Sequence, residues 1–258
     1  MKSSDLTLLF SVIVCLLAGP WLGRGESAVD VSPGHASVVT RPVATSTIGR
    51  AINPALAEVE GVSPDVLQMA LGAIQCGVTN GDLAAPPTLT LIDYSRPSVE
   101  PRLWVFDLAS GRLLFKELVA HGRNSGDNMA TRFSDDMNSH QSSLGLFVTG
   151  DTYVGSNGYS LRLDGLEPGF NGRARDRAIV MHGAPYVNAA LSSSQGRIGR
   201  SWGCPALREA VARDVIDTIR GGGVIFSYYP DDTWLNQSRF LGGCARDARS
   251  AAVKSTNG

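Results

Sequence analysis

The strongest constraint on this chain is its punctuation: short apolar stretches recur along it, separated by turns rich in glycine, asparagine and aspartate. Residues 88–92 alternate apolar and polar, and 103–108 lead through Ala109-Ser110-Gly111-Arg112 into 113–119, the pattern of a hairpin. Residues 144–149, 159–163, 178–182 and 224–229 continue the series. The 29 glycines supply the turns that so many short strands need. Two segments carry a helical period instead. Ser63-Pro64-Asp65 gives an N-cap, a first-position proline and an acid in the first turn. An apolar stripe follows at Val66, Leu67, Ala70, Leu71 and Ile74, with Gly77 as its expected stop. Leu207, Val211, Val215 and Ile219 step by four and run into Gly221-Gly222-Gly223. The pattern predicts one mainly β domain with a few helices, sandwich- or barrel-like, over residues 61–243.

The rest of the chain reads differently. Lys2 precedes an apolar run over residues 6–18 that Gly19-Pro20 breaks, too short to span a bilayer comfortably and suited to a secretory signal peptide over residues 1–25. Gly23 and Gly25, or Gly25 and Ser27, offer cleavage points; the alternative is an uncleaved anchor extended to Leu22. Val14 and the apolar residues after Cys15 argue against lipoprotein processing there. Residues 26–60 read as a flexible spacer and 244–258 as a polar tail. The expected location is periplasmic or secreted, with no membrane insertion after signal cleavage. A net charge of −1 gives no electrostatic reason to expect nucleic acid or an anionic membrane as partner.

Export changes the cysteine arithmetic. Without Cys15, three cysteines remain in an oxidising compartment: Cys76, Cys204 and Cys244. The favoured reading bridges Cys76 to Cys244, tying down the C-terminal end, and leaves Cys204 free; a Cys204–Cys244 bridge is the competing connectivity.

Cys204 lies in Gly199-Arg200-Ser201-Trp202-Gly203-Cys204-Pro205-Ala206-Leu207, and His182 closes an apolar run at Met181-His182-Gly183. A thiol near its ordinary pKa of about 8.5 is mostly unreactive at neutral pH, so a nucleophilic cysteine needs an imidazole or another positive group nearby. His182 would take the thiol proton, and amides near Gly203 and Cys204 would meet a developing oxyanion. No Asp or Asn stands where it must orient His182, so the Gly183 carbonyl or a neighbouring main-chain group is the candidate. A lone histidine on a strand is more often structural, and a buried cysteine is more often inert packing. A zinc site is weaker still: His182 and Cys204 lack further close-spaced ligands, and His121, a possible third, reads equally well as part of a turn. No metal or cofactor is expected.

These segments resemble the L,D-transpeptidase (YkuD-like) catalytic family, and more particularly the murein L,D-transpeptidase-like branch in which Pro-Ala follows the cysteine. His121-Gly122-Arg123-Asn124-Ser125-Gly126, Ser142-Ser143-Leu144-Gly145, Tyr159-Ser160-Leu161-Arg162-Leu163 and Gly165-Leu166-Glu167 fit the same branch, so the likeness covers roughly residues 62–230. The resemblance implies Cys204 as nucleophile, His182 as base, Gly183 as the carbonyl that orients it, and Ser201, Trp202 and Gly203 as the turn that carries the oxyanion amides. It also implies a mainly β catalytic domain and peptidoglycan stem peptides as donor and acceptor. In that chemistry a tetrapeptide loses D-Ala, a thioester forms, and an amine resolves it as a 3→3 cross-link; water as acceptor gives an L,D-carboxypeptidase. The chain departs from the more widespread motif: Trp202 stands in place of a histidine, and Ala206 in place of an arginine, with Arg208 the nearest arginine downstream. The interval from His182 to Ser201 is also slightly long. Arg162, Arg197 and Arg200 are the candidate binders of a carboxylate or diaminopimelate group. A catalytically silent peptidoglycan-binding protein and a secreted cysteine peptidase are the rival readings, the latter with its usual Cys-before-His order reversed.

Overall fold

The structure is a computed structural model, and it describes residues 52–244. The expected signal peptide, and the expected tail beyond Cys244, lie outside the described residues. So does most of the expected spacer. Its last part, however, is ordered: helix α1 (Pro54–Val59) lies within it, and Ile52 and Ala57 are buried in the main core.

Helix α2 (Pro64–Thr79) begins at the N-cap its sequence announces, with Ser63 Oγ accepting from the Val66 amide at 3.5 Å. It buries Val66, Leu67, Ala70, Ala73 and Ile74. Gly77 does not stop it. A Cβ at that position would lie 2.5 Å from Leu83 Cδ2 and 3.4 Å from the Phe240 ring, so the glycine serves close packing, and the helix runs on to Thr79. Next to it, Cys76 is bridged to Cys244, and Cys204 is the free cysteine among the described residues.

The strands are β1 (Thr88–Asp93), β2 (Leu103–Asp107), β3 (Leu113–Glu117), β4 (Val119–Ala120), β5 (Gly145–Gly155), β6 (Gly158–Gly165), β7 (Val180–Gly183), β8 (Ala206–Leu207) and β9 (Val224–Tyr228). They form one sheet in the order β3-β2-β1-β9-β5-β6-β7-β8-β4. The two edge strands, β3 and β4, are consecutive in sequence, so the sheet curls round toward closure. The domain is thus mainly β and nearly barrel-like. Every residue of β1 is buried, because the strand is central, with β2 antiparallel on one side and β9 parallel on the other. Leu89, Leu91, Trp104 and Phe226 are fully buried, each such side chain contributing about 1.5–3 kcal/mol.

Helix α4 (Glu209–Ile219) buries Ala212, Val215, Ile216 and Ile219 against the sheet. Leu207, expected on its stripe, belongs to β8, and Val211 is half-buried. Two short helices, α3 (Ala189–Gln195) and α5 (Asp232–Gln237), complete the list apart from a single wide helical turn at Arg239–Gly243. The loop after β6 is pinned from within: Glu167 accepts from the Leu146 amide at 2.8 Å and from Trp234 Nε1 at 3.1 Å, and Asn171 donates to the Leu144 and Leu146 carbonyls.

Candidate active site

Strand pairing brings the two reactive residue types together. His182, near the end of β7, stands opposite Ser160 of β6 on one side and Ala206 of β8 on the other. Cys204 lies two residues before Ala206, so the parallel β7–β8 pairing sets it beside the histidine strand. Both side chains line one cavity of about 410 Å³, together with Ser156, Asn157, Tyr186, Arg200, Ser201 and Trp202.

The turn that presents Cys204 is held by its own polar groups. Ser201 Oγ donates to the Cys204 carbonyl at 2.6 Å and accepts from the Gly203 amide at 3.1 Å. Gly203 has φ +119°, and a Cβ there would lie 2.8 Å from the Gln141 carbonyl and 2.9 Å from Ile179 Cδ1; only glycine fits. Ser142 Oγ donates to the Gly203 carbonyl from behind, at 3.4 Å. The Gly203 amide is engaged by Ser201 Oγ in this arrangement, so it would have to give up that bond to meet an oxyanion. The Cys204 amide faces its own sulfur.

Cys204 is 8% exposed. Its sulfur accepts from the Val180 amide at 3.5 Å, and its S–H points to the Ala178 carbonyl at 3.8 Å. Ala178 adopts φ +53°, a strained conformation for alanine that aims this carbonyl at the thiol. Burial pushes the thiol pKa above its ordinary value, against the opposing pull of the Val180 amide and the Arg177 guanidinium. His182 is pulled the other way: burial lowers its pKa, and the Gly183 carbonyl partly offsets this. Its Nδ1–H donates to that carbonyl at 2.9 Å, which leaves Nε2 as the basic nitrogen. Burial thus favours the neutral form of both groups, the thiol and the imidazole.

Arg177 was not among the sequence candidates. Its guanidinium donates to the Ser134 and Gln141 carbonyls at 2.6 and 2.7 Å and to the hydroxyls of Ser143 and Ser139 at 2.5 and 3.1 Å. Asp135 lies 3.7 Å away, and Arg177 Nη2 lies 3.4 Å from where a Gly203 Cβ would be. A buried cation therefore sits directly behind the turn that presents Cys204. Tyr186 was also missed; burial, then the nearby thiol, push its phenol up to about 12, so it is a hydrogen-bond donor at any ordinary pH. Ser156 and Asn157 reach the cavity from the β5–β6 turn.

Of the three candidate arginines, Arg200 alone lines the cavity, and its Nη1 bonds Asp127 at 2.9 Å and the Gly126 carbonyl at 2.8 Å. Arg162 is drawn instead over the Tyr153 ring, 4.2 Å from its centroid, and Arg197 binds the Ile198 carbonyl. Arg208 pairs bidentately with Glu117 at 2.7 and 2.9 Å. His121 is fully buried. Arg102 donates to its Nδ1 at 2.7 Å, and Nε2–H faces the Gly126 carbonyl at 3.3 Å. Burial, then the Arg102 charge, lower His121 to about 3, so it stays neutral and both ring nitrogens are engaged in the fold. Among the described residues no three His, Cys, Asp or Glu side chains gather as a metal site.

A family model described as the L,D-transpeptidase catalytic domain, of YkuD type, matches residues 58–228. The chain belongs to this family. Its nearly closed β sheet is the YkuD-like catalytic domain, and the matched segment takes in every cavity-lining residue named above. Among solved structures it is similar to an L,D-transpeptidase from Mycobacterium smegmatis at 16% identity, covering 55% of this chain and 59% of that one, with a TM-score of 0.35. An L,D-transpeptidase from Mycobacterium tuberculosis H37Rv matches at 13% identity over 56% and 59% of the two chains, TM-score 0.36. The helical cell shape determining protein Pgp2 from Campylobacter jejuni matches at 12% identity over 62% and 57%, TM-score 0.36. The chain spans less than two thirds of the length of each of these three. No curated protein matches it. Among the described residues no helix is long and apolar enough to cross a membrane.

Proposed function

We propose that this chain is an exported murein L,D-transpeptidase, of the branch with Cys-Pro-Ala at the nucleophile, acting on peptidoglycan stem tetrapeptides. The observation that carries the reading is one cavity lined by an unbridged thiol and by an imidazole whose Nδ1 is fixed on a backbone carbonyl. In the proposed reaction His182 Nε2 takes the Cys204 proton as sulfur attacks the carbonyl of the third stem residue. The oxyanion is met by the Cys204 amide, with Tyr186 as a second donor at the cavity wall. Collapse breaks the bond to D-Ala, whose amine leaves with the proton held by His182, and a thioester remains on Cys204. An amine from a second stem then attacks the thioester and gives its proton to His182. The sulfur leaves, regains that proton, and the 3→3 amide bond is complete. With water as the acceptor the same steps yield a tripeptide. Arg200 is the arginine proposed to meet substrate, by exchanging Asp127 for a substrate carboxylate.

The test is the product profile on purified disaccharide-tetrapeptide. Released D-Ala with dimers supports cross-linking, and D-Ala with tripeptide supports trimming by an L,D-carboxypeptidase. Wall binding with no D-Ala release supports a silent binding protein. Cleavage of casein alongside indifference to the muropeptide supports a peptidase.

A further inference from the structure

Trp202 breaks the usual rule for its residue type. It is 69% exposed, although two residues away the chain is buried at Cys204. Leaving an indole in water forfeits the stabilisation its burial would bring, so an exposed, immobilised one at the mouth of a reactive cavity is a contact surface in waiting. Immobilised it is. The His140 ring stacks on it at 5.0 Å between centroids and 27° between planes, and Arg123 sits 5.5 Å from its centroid. Arg123 Nη2 also bonds His140 Nδ1 at 2.9 Å, tying the two supports together. His140 itself holds φ +52°, a strained backbone conformation that fixes where its ring stands. On the other side, Ser201 and Gly203 lock the Trp202 backbone. With His140 stacked on it and Arg123 over the ring, the indole is still 69% exposed, so most of its surface is open to a ligand.

What fits an open, rigid indole face is a flat ligand of similar breadth whose ring hydrogens carry slight positive charge and whose edges are polar. A pyranose ring has that form: its C–H face packs on the negative π face, and its hydroxyl and amide groups reach outward. Ser156 and Asn157, exposed residues that line the same cavity, and Arg123 beside the indole supply donors and acceptors for those edges. The stem tetrapeptide alone offers methyl groups, carboxylates and a diaminopimelate amine, none of them a ring as broad as an indole.

We infer that Trp202 is a saccharide platform: the N-acetylhexosamine that bears the stem peptide stacks on it, so the site prefers a sugar-linked donor to a free peptide. This rests on the peptidoglycan reading above. The experiment compares kcat/KM for D-Ala release from disaccharide-tetrapeptide and from free tetrapeptide, in wild type, Trp202→Ala and Trp202→Phe. The ratio of the two values removes any general effect of the substitution on the nucleophile turn. It is expected to fall about fivefold in Trp202→Ala, as for a stack worth about 1 kcal/mol, and to be largely kept in Trp202→Phe. An unchanged ratio in Trp202→Ala overturns the platform while leaving the transpeptidase reading standing. If wild type releases D-Ala from neither substrate, the peptidoglycan reading is what fails. Binding of the same two ligands to Cys204→Ser, with and without Trp202→Ala, then decides the platform alone: equal affinity for both ligands refutes it.

Discussion

Replacing Arg177 by methionine should make the Cys204 thiol harder to ionise. The guanidinium lies against the back of the Gly203 turn, buried, with its charge only partly offset by Asp135 at 3.7 Å. At an effective dielectric of 20, two unit charges about 7 Å apart interact by roughly 2 kcal/mol. Allowing for the Asp135 counter-charge, about 1.4 kcal/mol remains, or one pKa unit. The assay is iodoacetamide alkylation followed across pH by the mass of the Cys204 peptide, which separates it from any other thiol. The expected midpoint lies above that of an ordinary thiol in wild type and about one unit higher in Arg177→Met. Because nucleophilicity rises as thiol pKa rises, with a slope of about 0.4–0.5, the two profiles should cross. Well below the midpoint the variant should react about threefold more slowly, and on the high-pH plateau about threefold faster. Arg177→Lys keeps the charge and should stay near wild type, whereas Asp135→Asn unmasks it and should lower the midpoint. Thermal melts accompany each variant. A folded Arg177→Met with an unmoved midpoint, or an Arg177→Lys shift as large as that of Arg177→Met, refutes an electrostatic role.

Gly203→Ala places a Cβ against the Gln141 carbonyl at a positive φ, and should cost about 2 kcal/mol or more of stability, with activity reduced at least a hundredfold as the nucleophile is displaced; urea melts and D-Ala release measure the two. The Cys76–Cys244 bridge closes a separation of 168 residues, so the Cys76→Ser/Cys244→Ser double variant should lose up to about 5 kcal/mol, read as a lower melting temperature. His121 binds a proton in the unfolded chain below about pH 6.5 but in the fold only near 3, so stability should fall as pH drops from 6.5, by up to about 1.4 kcal/mol per pH unit for this group. Denaturant melts between pH 7 and 5 should show that slope in wild type, and a shallower one in His121→Gln.

The parts of the site legible in the sequence are those built by neighbours. His182 ends an apolar run, Gly183 follows it, and Cys204 sits in a glycine-bracketed turn just before the short strand β8; each signal is local. What was illegible depends on distant partners. Arg173, Arg175 and Arg177 alternate in one polar stretch that reads as solvated charge. Arg175 does pair with Asp164 at the surface, while Arg177 is taken in by a loop whose Ser134, Ser139 and Gln141 lie far upstream. His121 looked like a turn residue because its partner, Arg102, lies far upstream, just before β2. Gly77 looked like a helix stop, yet it serves contacts with Leu83 and Phe240. The strands themselves were readable from their glycine punctuation. Their order was not, since the β1–β9 pairing joins opposite ends of the domain, and no local pattern encodes a contact of that range.

In the proposed reaction, turnover passes through a thioester on Cys204. Quenching the enzyme in acid during turnover of disaccharide-tetrapeptide, then mapping peptides by mass, tests it most directly. The expected result is an adduct of the muropeptide less D-Ala, confined to the peptide containing Cys204, lost on hydroxylamine treatment and absent from Cys204→Ala, which should release no D-Ala. An adduct on any other residue, or D-Ala release that persists in Cys204→Ala, would contradict it.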